Sequence, residues 1–479
     1  MLFNTVSFAI FLPIVLVLYW FVTAKYLKLQ NLLLLLSSYF FYACWDYRFL
    51  LLLIFSTVVG YYIGIKINQT LVIQKKKIWL WVGIIINVGF LAVFKYYNFF
   101  ITSFAEGLSY FGVQSSSLWT LKIILPVGIS FYTFHTLSYI IDVYKERISP
   151  ERNFVNYSIF VGYFPLLVAG PIERATHLLP QIKIRRNFNA SNFVDGLRQI
   201  LWGLFKKVVI ADSCATYADV IFNNSEDYSG STLVLGTILF AFQIYGDFSG
   251  YSDIALGTSR LFGIDLLKNF AFPFFSRDVA EFWRRWHISL SSWFKDYVYI
   301  PLGGSRGSKF KQIRNVFIIF LLSGFWHGAN WTFIFWGLVN ALYFLPLFLF
   351  KINRVHLEIV AHDRILPNLK EIFQILLTFF LTALARIFFR SDNLQHAFSY
   401  LSGIFSKSLF SIPEIRPKSV VLLIIVFICI EWFGRRNEYA IAKMFQKQPR
   451  LIRWTFYYLI VFAIFYFSEN ERQFIYFQF

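Results

Sequence analysis

Apolar runs broken by short polar connections set the rhythm of this 479-residue chain. Uncharged apolar segments recur at Val6–Val22, Asn31–Trp45, Phe49–Ile65, Ile78–Phe94, Ile123–Ile141, Phe154–Ile172, Thr232–Gly246, Val316–Phe350, Ile372–Ala385, Ser419–Ile430 and Trp454–Ser468. A bilayer core of about 30 Å is crossed by roughly 20 helical residues, so Val316–Phe350 holds more than one crossing and is counted twice. With Gln199–Ala211 as a weaker candidate, the pattern predicts an all-α polytopic membrane protein of about twelve to thirteen membrane-embedded helices. Several segments are shorter than a full crossing, which suits tilted, re-entrant or protein-buried helices. The second half does not repeat the first, which argues against an inverted-repeat transporter.

Composition removes the soluble alternative. The chain is 57% hydrophobic and 21% aromatic with 15% charged residues, whereas soluble domains carry about a quarter charged. The longest polar stretches, 173–192 and 277–315, are too short for a soluble catalytic domain. Residues 1–479 therefore read as one integral-membrane domain whose chemistry lies inside the membrane body or at its edge.

Lys and Arg total 45 against 26 Asp and Glu, a formal charge of +19. In this context the excess reads as cytoplasmic loops beside anionic lipid headgroups, and no nucleic-acid module is visible. Lys25 and Lys28 follow the first apolar segment and Lys75, Lys76 and Lys77 the third, which puts both loops in the cytoplasm and the N-terminus outside. Further basic runs at Lys183–Arg186, Lys206–Lys207, Arg306–Arg314 and Arg435–Arg453 read the same way. Cys44, Cys214 and Cys429 are scattered, and the seven histidines show no ligand spacing, so neither a disulfide framework nor a metal site is expected. The N-terminus lacks a signal peptide's basic region and cleavage site and reads as a retained first crossing.

Against this background the polar residues inside apolar sequence carry the information. His327 lies within the 35 uncharged residues of Val316–Phe350. If a crossing begins near Val316, His327 lies about 16 Å along it, close to mid-membrane. An ionisable residue at that depth is a functional-site hypothesis by default. A second imidazole, His287, lies in EFWRRWHISLSSWFKDYVYIPLGGSRG (Glu281–Gly307). There Trp283, Trp286 and Trp293 with Arg284, Arg285 and Lys295 suit an interfacial helix, aromatic on one side and basic on the other. Gly303 and Gly304 after Pro301 permit a sharp reversal.

One imidazole activating a hydroxyl or thiol, with a second polar group orienting the reactants, suits acyl transfer. A third cluster, QIYGDFSGYSDIA (Gln243–Ala255), places Gln243, Tyr245, Asp247, Ser249 and Asp253 at the end of an apolar segment. Such residues line a polar pathway or mark a helix end near water. In PVGISFYTFHTLSYIIDVY (Pro126–Tyr144), His135 and Asp142 stand seven apart and share a helical face, for a contact between helices or for chemistry. Glu173 and Arg174 read as a local ion pair.

Taken together, these motifs closely resemble the membrane-bound O-acyltransferases, within them the alginate O-acetylation branch. The matching stretches are PVGISFYTFHTLSYIIDVY, FPLLVAGPI (Phe164–Ile172), GLFKKVVIAD (Gly203–Asp212), QIYGDFSGYSDIA, FWRRWHISLSSWFKDYVYIPLGGSRG, SGFWHGANWTFIFWG and the terminal FIYFQF. Most of them fall in a core of about 123–350. Gly246 stands where the family often has a second aromatic residue.

The resemblance implies a multi-helix bundle with a central tunnel, catalytic His327 and His287, and tunnel-lining Gln243, Tyr245, Asp247, Ser249, Asp253 and His135. It implies no bound cofactor and acetyl-CoA as the acyl donor; by charge, Arg284, Arg285 and Lys295 beside Trp283 suit its phosphates. The acceptor would be an extracytoplasmic polysaccharide, reached with a separate SGNH-type protein, and the location the bacterial cytoplasmic membrane. D-alanyl transfer to teichoic acid from a carrier-protein thioester is the alternative within the family. A glycan exporter or flippase is the alternative outside it.

Overall fold

The computed structural model describes residues 1–109, 111–112, 120–168, 170–468 and 474–475. Helices and their connections are the only regular structure among these residues, as the periodicity predicts. Six helices are long and apolar enough to cross a membrane: Tyr47–Gln69, Ile73–Ser109, Gly230–Leu261, Trp331–Leu349, Leu369–Arg390 and Arg450–Phe467. Val6–Val22 and Phe154–Leu167 are apolar but shorter. Phe462 and Phe465 on Arg450–Phe467 are exposed, a face that only lipid can cover without cost. The last four residues of FIYFQF lie outside the described residues.

Contacts divide the chain into two compact units. The first comprises Met1–Phe193 with Ser259–Leu267. Gly60 and Gly64, one turn apart on Tyr47–Gln69, lie against the rings of Tyr157 and Tyr139, where a Cβ would collide. Small residues at helical spacing let helices close in without needing water to drive them together. His135 is sealed in this unit. Its Nε2 accepts the Glu173 N–H at 3.1 Å and its Nδ1 meets the Val161 carbonyl at 3.3 Å. The Glu173 carboxylate accepts the Leu267 N–H at 2.6 Å and meets His177 at 2.9 Å, and the latter hydrogen bond holds the half-exposed imidazole above its ordinary pKa.

Within the basic run 183–186, Lys183 pairs with Glu151 at 2.5 Å. Arg186 is buried, bonded to Gln30 and Asn31 and stacked on Tyr19. That run is not a free solvated loop, a correction to the charge-based reading.

The second unit, Val194–Thr258 with Lys268–Phe479, holds most of Gly230–Leu261. This helix runs for 32 residues, so Gln243–Ala255 sits in its interior and not at a segment end as expected. Close approach makes this possible. Gly246, Gly250 and Gly257 meet the backbone of Lys206, Gly203 and Gly196, with no room for a Cβ between.

The approach brings Lys206 and Lys207 against the carboxylates. Lys206 reaches Asp253 at 2.6 Å and the Ser249 hydroxyl at 3.0 Å. Lys207 bridges Asp247 at 2.8 Å and Asp212 at 2.7 Å. Both lysines are buried, which overturns their reading as cytoplasmic loop. Charge alone marks a loop only when nothing buried neutralises it. Arg435, in the last basic run, is also buried and donates to the carbonyls of Val360 and Ala361.

Candidate functional site

His327 closes the helix Lys309–His327. The helix therefore starts at Lys309, not near Val316, and the depth estimate built on that start falls with it. Ser308 caps the helix start, and Gly303, Gly304 and Gly307 adopt positive φ in the reversal before it, as the glycine pair predicts.

After His327 the chain turns through Gly328, and Asn330 caps Trp331–Leu349 by accepting the Thr332 N–H at 3.0 Å. The two helices pair as a tight hairpin. Gly324 lies on the Phe333 carbonyl and Gly337 on the Phe320 carbonyl, each too close to admit a Cβ. Gly328 is pressed by the Phe333 ring. The glycines of SGFWHGANWTFIFWG are thus packing positions, and they fix where the imidazole points.

His327 faces a narrow cavity of about 20 Å³, lined also by Ile244, Phe282, Trp283, Trp286, Trp336, Asn340, Thr382, Arg386 and Phe389. Its ring meets Trp336 and Phe389, each at 5.1 Å between centroids. Arg386 is the one guanidinium among the described lining residues, and it is buried. It sits over the rings of Trp286, Phe282 and Phe274, at 4.7, 5.2 and 5.5 Å. A cation on aromatic faces keeps its N–H edge for hydrogen bonding.

His287 links two short helices, Val279–Arg285 and Ile288–Phe294, in a left-handed conformation with φ 45° and ψ 53°. A non-glycine residue there costs about 1–2 kcal/mol. Its imidazole is buried between Phe248 at 4.6 Å and Trp326 at 5.9 Å. Trp326 also touches His327, at 4.8 Å, so one indole lies between the two imidazoles. The sequence reading placed these two histidines in one site, and the fold joins them through Trp326.

The expected donor residues divide. Trp283 lines the His327 cavity. Arg284 is spent on the carbonyls of Asn353 and His356 at 2.7 and 2.8 Å. Arg285 pairs with Glu281 at 2.8 Å, and Glu281 also holds Arg277 at 3.1 Å. Trp286 and Trp293 are buried, so this segment is not the interfacial helix its pattern suggested. Lys295 is exposed.

Of the expected pathway residues, Asp247, Ser249 and Asp253 belong to the lysine network, and the Tyr245 hydroxyl donates to Glu431 at 2.6 Å. Gln243 is buried, and its Oε1 has no hydrogen-bond partner among the described residues. His135 has both nitrogens engaged within the first unit. Lys268 is half-buried in the second unit, and desolvation holds its ammonium below the ordinary lysine range while Asp253 pulls the other way. No cluster of potential metal ligands occurs among the described residues.

Sequence reasoning missed Arg386, although a lone charge directly after the apolar run Ile372–Ala385 is a usable signal. It also missed Asn269, whose loop carries no periodicity.

Comparison with known proteins gives this geometry a family. Residues 145–389 match the model of the membrane-bound O-acyltransferase family. The probable alginate O-acetylase AlgI of Pseudomonas aeruginosa is 39% identical over 442 residues, covering 91% of this chain and 82% of that protein. The peptidoglycan O-acetyltransferase of Helicobacter pylori is 38% identical over 84% of this chain and 80% of its own length. The teichoic acid D-alanyltransferase of Bacillus subtilis is 30% identical over 45% of this chain and 57% of its own. The chain therefore belongs to the membrane-bound O-acyltransferase family, as a multi-pass membrane protein and an O-acyltransferase.

Proposed function

We propose that the protein takes acetyl from acetyl-CoA and passes it toward O-acetylation of an extracytoplasmic polysaccharide, with His327 and His287 as the catalytic residues. The observation that carries this reading is the His327 cavity. It has aromatic walls and a guanidinium, and Trp326, which touches the His327 ring, also contacts the His287 ring. In such a place a hydroxyl loses its proton to His327 as its oxygen attacks the thioester carbonyl. The C–S bond then breaks, and the thiolate recovers the proton. His287 orients the reactants.

With Arg284 and Arg285 engaged by the protein, the coenzyme A phosphates fall to Lys295 and the exposed Arg306, Lys309 and Lys311. Whole-length similarity to a proteobacterial alginate O-acetylase and a peptidoglycan O-acetyltransferase supports acetyl over D-alanyl. Their names also support a glycan acceptor; the SGNH-type partner and the place in the bacterial cytoplasmic membrane belong to the proposal itself. The N-terminus lies outside on this reading. Strong labelling of a cysteine at position 76 by an impermeant reagent on intact cells would refute that orientation.

The deciding experiment is acetyl transfer from radiolabelled acetyl-CoA by the purified protein in lipid, beside the acetyl content of secreted glycan. His327→Gln keeps volume but accepts no proton, so both readouts should drop by about 10² to 10⁴ at unchanged protein level. Near-normal acetylation by a well-expressed His327→Gln would return His327 to a packing role. Glycan that stays inside the cell with acetylation chemistry intact would favour the exporter.

A further inference from the structure

The loop after Leu267 places Asn269 against His287 and the two residues that follow it. The Asn269 carbonyl accepts the Ile288 N–H at 2.8 Å. Its side-chain Oδ1 meets the His287 Nδ1 at 3.0 Å and the Ser289 hydroxyl at 2.9 Å, with the Ser289 N–H at 3.4 Å. Its Nδ2 donates to the Ser252 hydroxyl at 3.0 Å. Asn269 is itself buried, at 1% exposure.

These contacts determine hydrogens that the coordinates alone do not. A backbone N–H can only donate, so the atom that Ser289 N–H meets is the amide oxygen and not the amide nitrogen. An amide oxygen can only accept, so His287 Nδ1 carries the hydrogen. In the neutral ring the lone pair is then on Nε2. That atom is buried and has no hydrogen-bond partner among the described residues. The rings facing it, Phe248, Phe270 and Trp326, bear no titratable group.

Backbone and side chain act together here. The left-handed φ of His287 is held in place by the Ile288 N–H bond to Asn269, and the ring by Oδ1. An imidazole on a strained backbone would otherwise rotate or take the other tautomer, turning Nε2 from acceptor to donor. Either change would misplace it for a substrate hydroxyl, and a misplacement of 1 Å can cost about 10²-fold.

We propose that Asn269 is a positioning residue of the acyl transfer, locking His287 in the tautomer whose Nε2 lone pair orients the reactants while His327 takes the proton. This rests on the acetyl-transfer reading above. Asn269 touches no substrate and acts only through His287.

The test uses the full chain in lipid nanodiscs, with acetyl-CoA as donor, across pH 5.5–9. Asn269→Ala should lower kcat by about 10- to 10²-fold with the KM for acetyl-CoA changed less than about threefold. Asn269→Asp keeps the acceptor oxygen but adds a charge that favours the imidazolium. It should recover part of the lost turnover and move the acid limb of the pH–rate profile to higher pH. A purely structural asparagine predicts otherwise: losses that follow the folded fraction in both variants, with an unmoved profile. That result overturns the proposal, as does wild-type turnover by Asn269→Ala. If Asn269→Ala does not accumulate, the profile of Asn269→Asp decides alone. Wild-type protein inert toward acetyl-CoA would overturn the donor reading first and this proposal with it, and is recognisable because no variant is needed to see it.

Discussion

His135 and His287 are almost equally hidden, at 0% and 1% exposure, but their surroundings treat them oppositely. Both nitrogens of His135 are spent on main chain, at Val161 and Glu173. The ring tacks the helix Ile129–Tyr144 to two stretches of neighbouring chain and keeps no lone pair for a reactant. His287 spends Nδ1 on Asn269 and leaves Nε2 among rings. Burial does not distinguish a reactive histidine from a structural one. The count of satisfied nitrogens does.

Paired substitutions give the sharpest way to break this contrast. His287→Gln should cost about 10²-fold in acetyl transfer, the loss expected when reactants lose their orientation, with protein level and melting temperature close to wild type. His135→Ala leaves the Glu173 N–H and the Val161 carbonyl buried without their partner, at about 1–3 kcal/mol for each orphaned group. It should lower the melting temperature in detergent and the amount in membranes, while acetyl transfer per folded molecule stays within about threefold of wild type. If the two exchanged behaviours, the comparison would fail.

How far the sequence carries this contrast differs between its parts. Helices and membrane character were legible because long apolar runs have few alternatives: Tyr47–Gln69 and Leu369–Arg390 contain their predicted segments and extend them. Both histidines proposed as catalytic were legible as polar residues in apolar surroundings. Their partners were not. Asn269 acts through a loop whose path depends on distant packing. Lys206 and Lys207 were misread because their neutralising carboxylates lie some 40 residues on for Asp247 and Asp253, reached only across a glycine-lined helix contact. Arg284 was assigned to a ligand because its protein partners, Asn353 and His356, leave no trace in local pattern, whereas Glu281, four residues before Arg285 on one helix, was a readable pair that went unused. Residue type and spacing reveal a polar group inside a membrane protein. Whether that group is already satisfied is a property of the fold.

Gln243 extends the same criterion to a weaker case. It is buried, like His287, and its Oε1 has no hydrogen-bond partner among the described residues. It sits one residue before Ile244, which lines the His327 cavity. A buried acceptor without a partner costs about 1–3 kcal/mol, so a fold that only needed volume here would do better with an apolar side chain. Gln243→Met supplies that volume with little change in shape. Its melting temperature should equal or exceed that of the wild type, since the desolvated amide is removed and no protein hydrogen bond to Oε1 is lost. Acetyl transfer should nonetheless fall by roughly tenfold, the equivalent of one net hydrogen bond to a reactant of about 1.4 kcal/mol. Thermal unfolding and acetyl-CoA turnover on the same preparation read both at once. A more stable Gln243→Met with full turnover would show that an unsatisfied buried polar atom in this unit can be idle. The inference from His287 would then stand on its geometry with Asn269 alone.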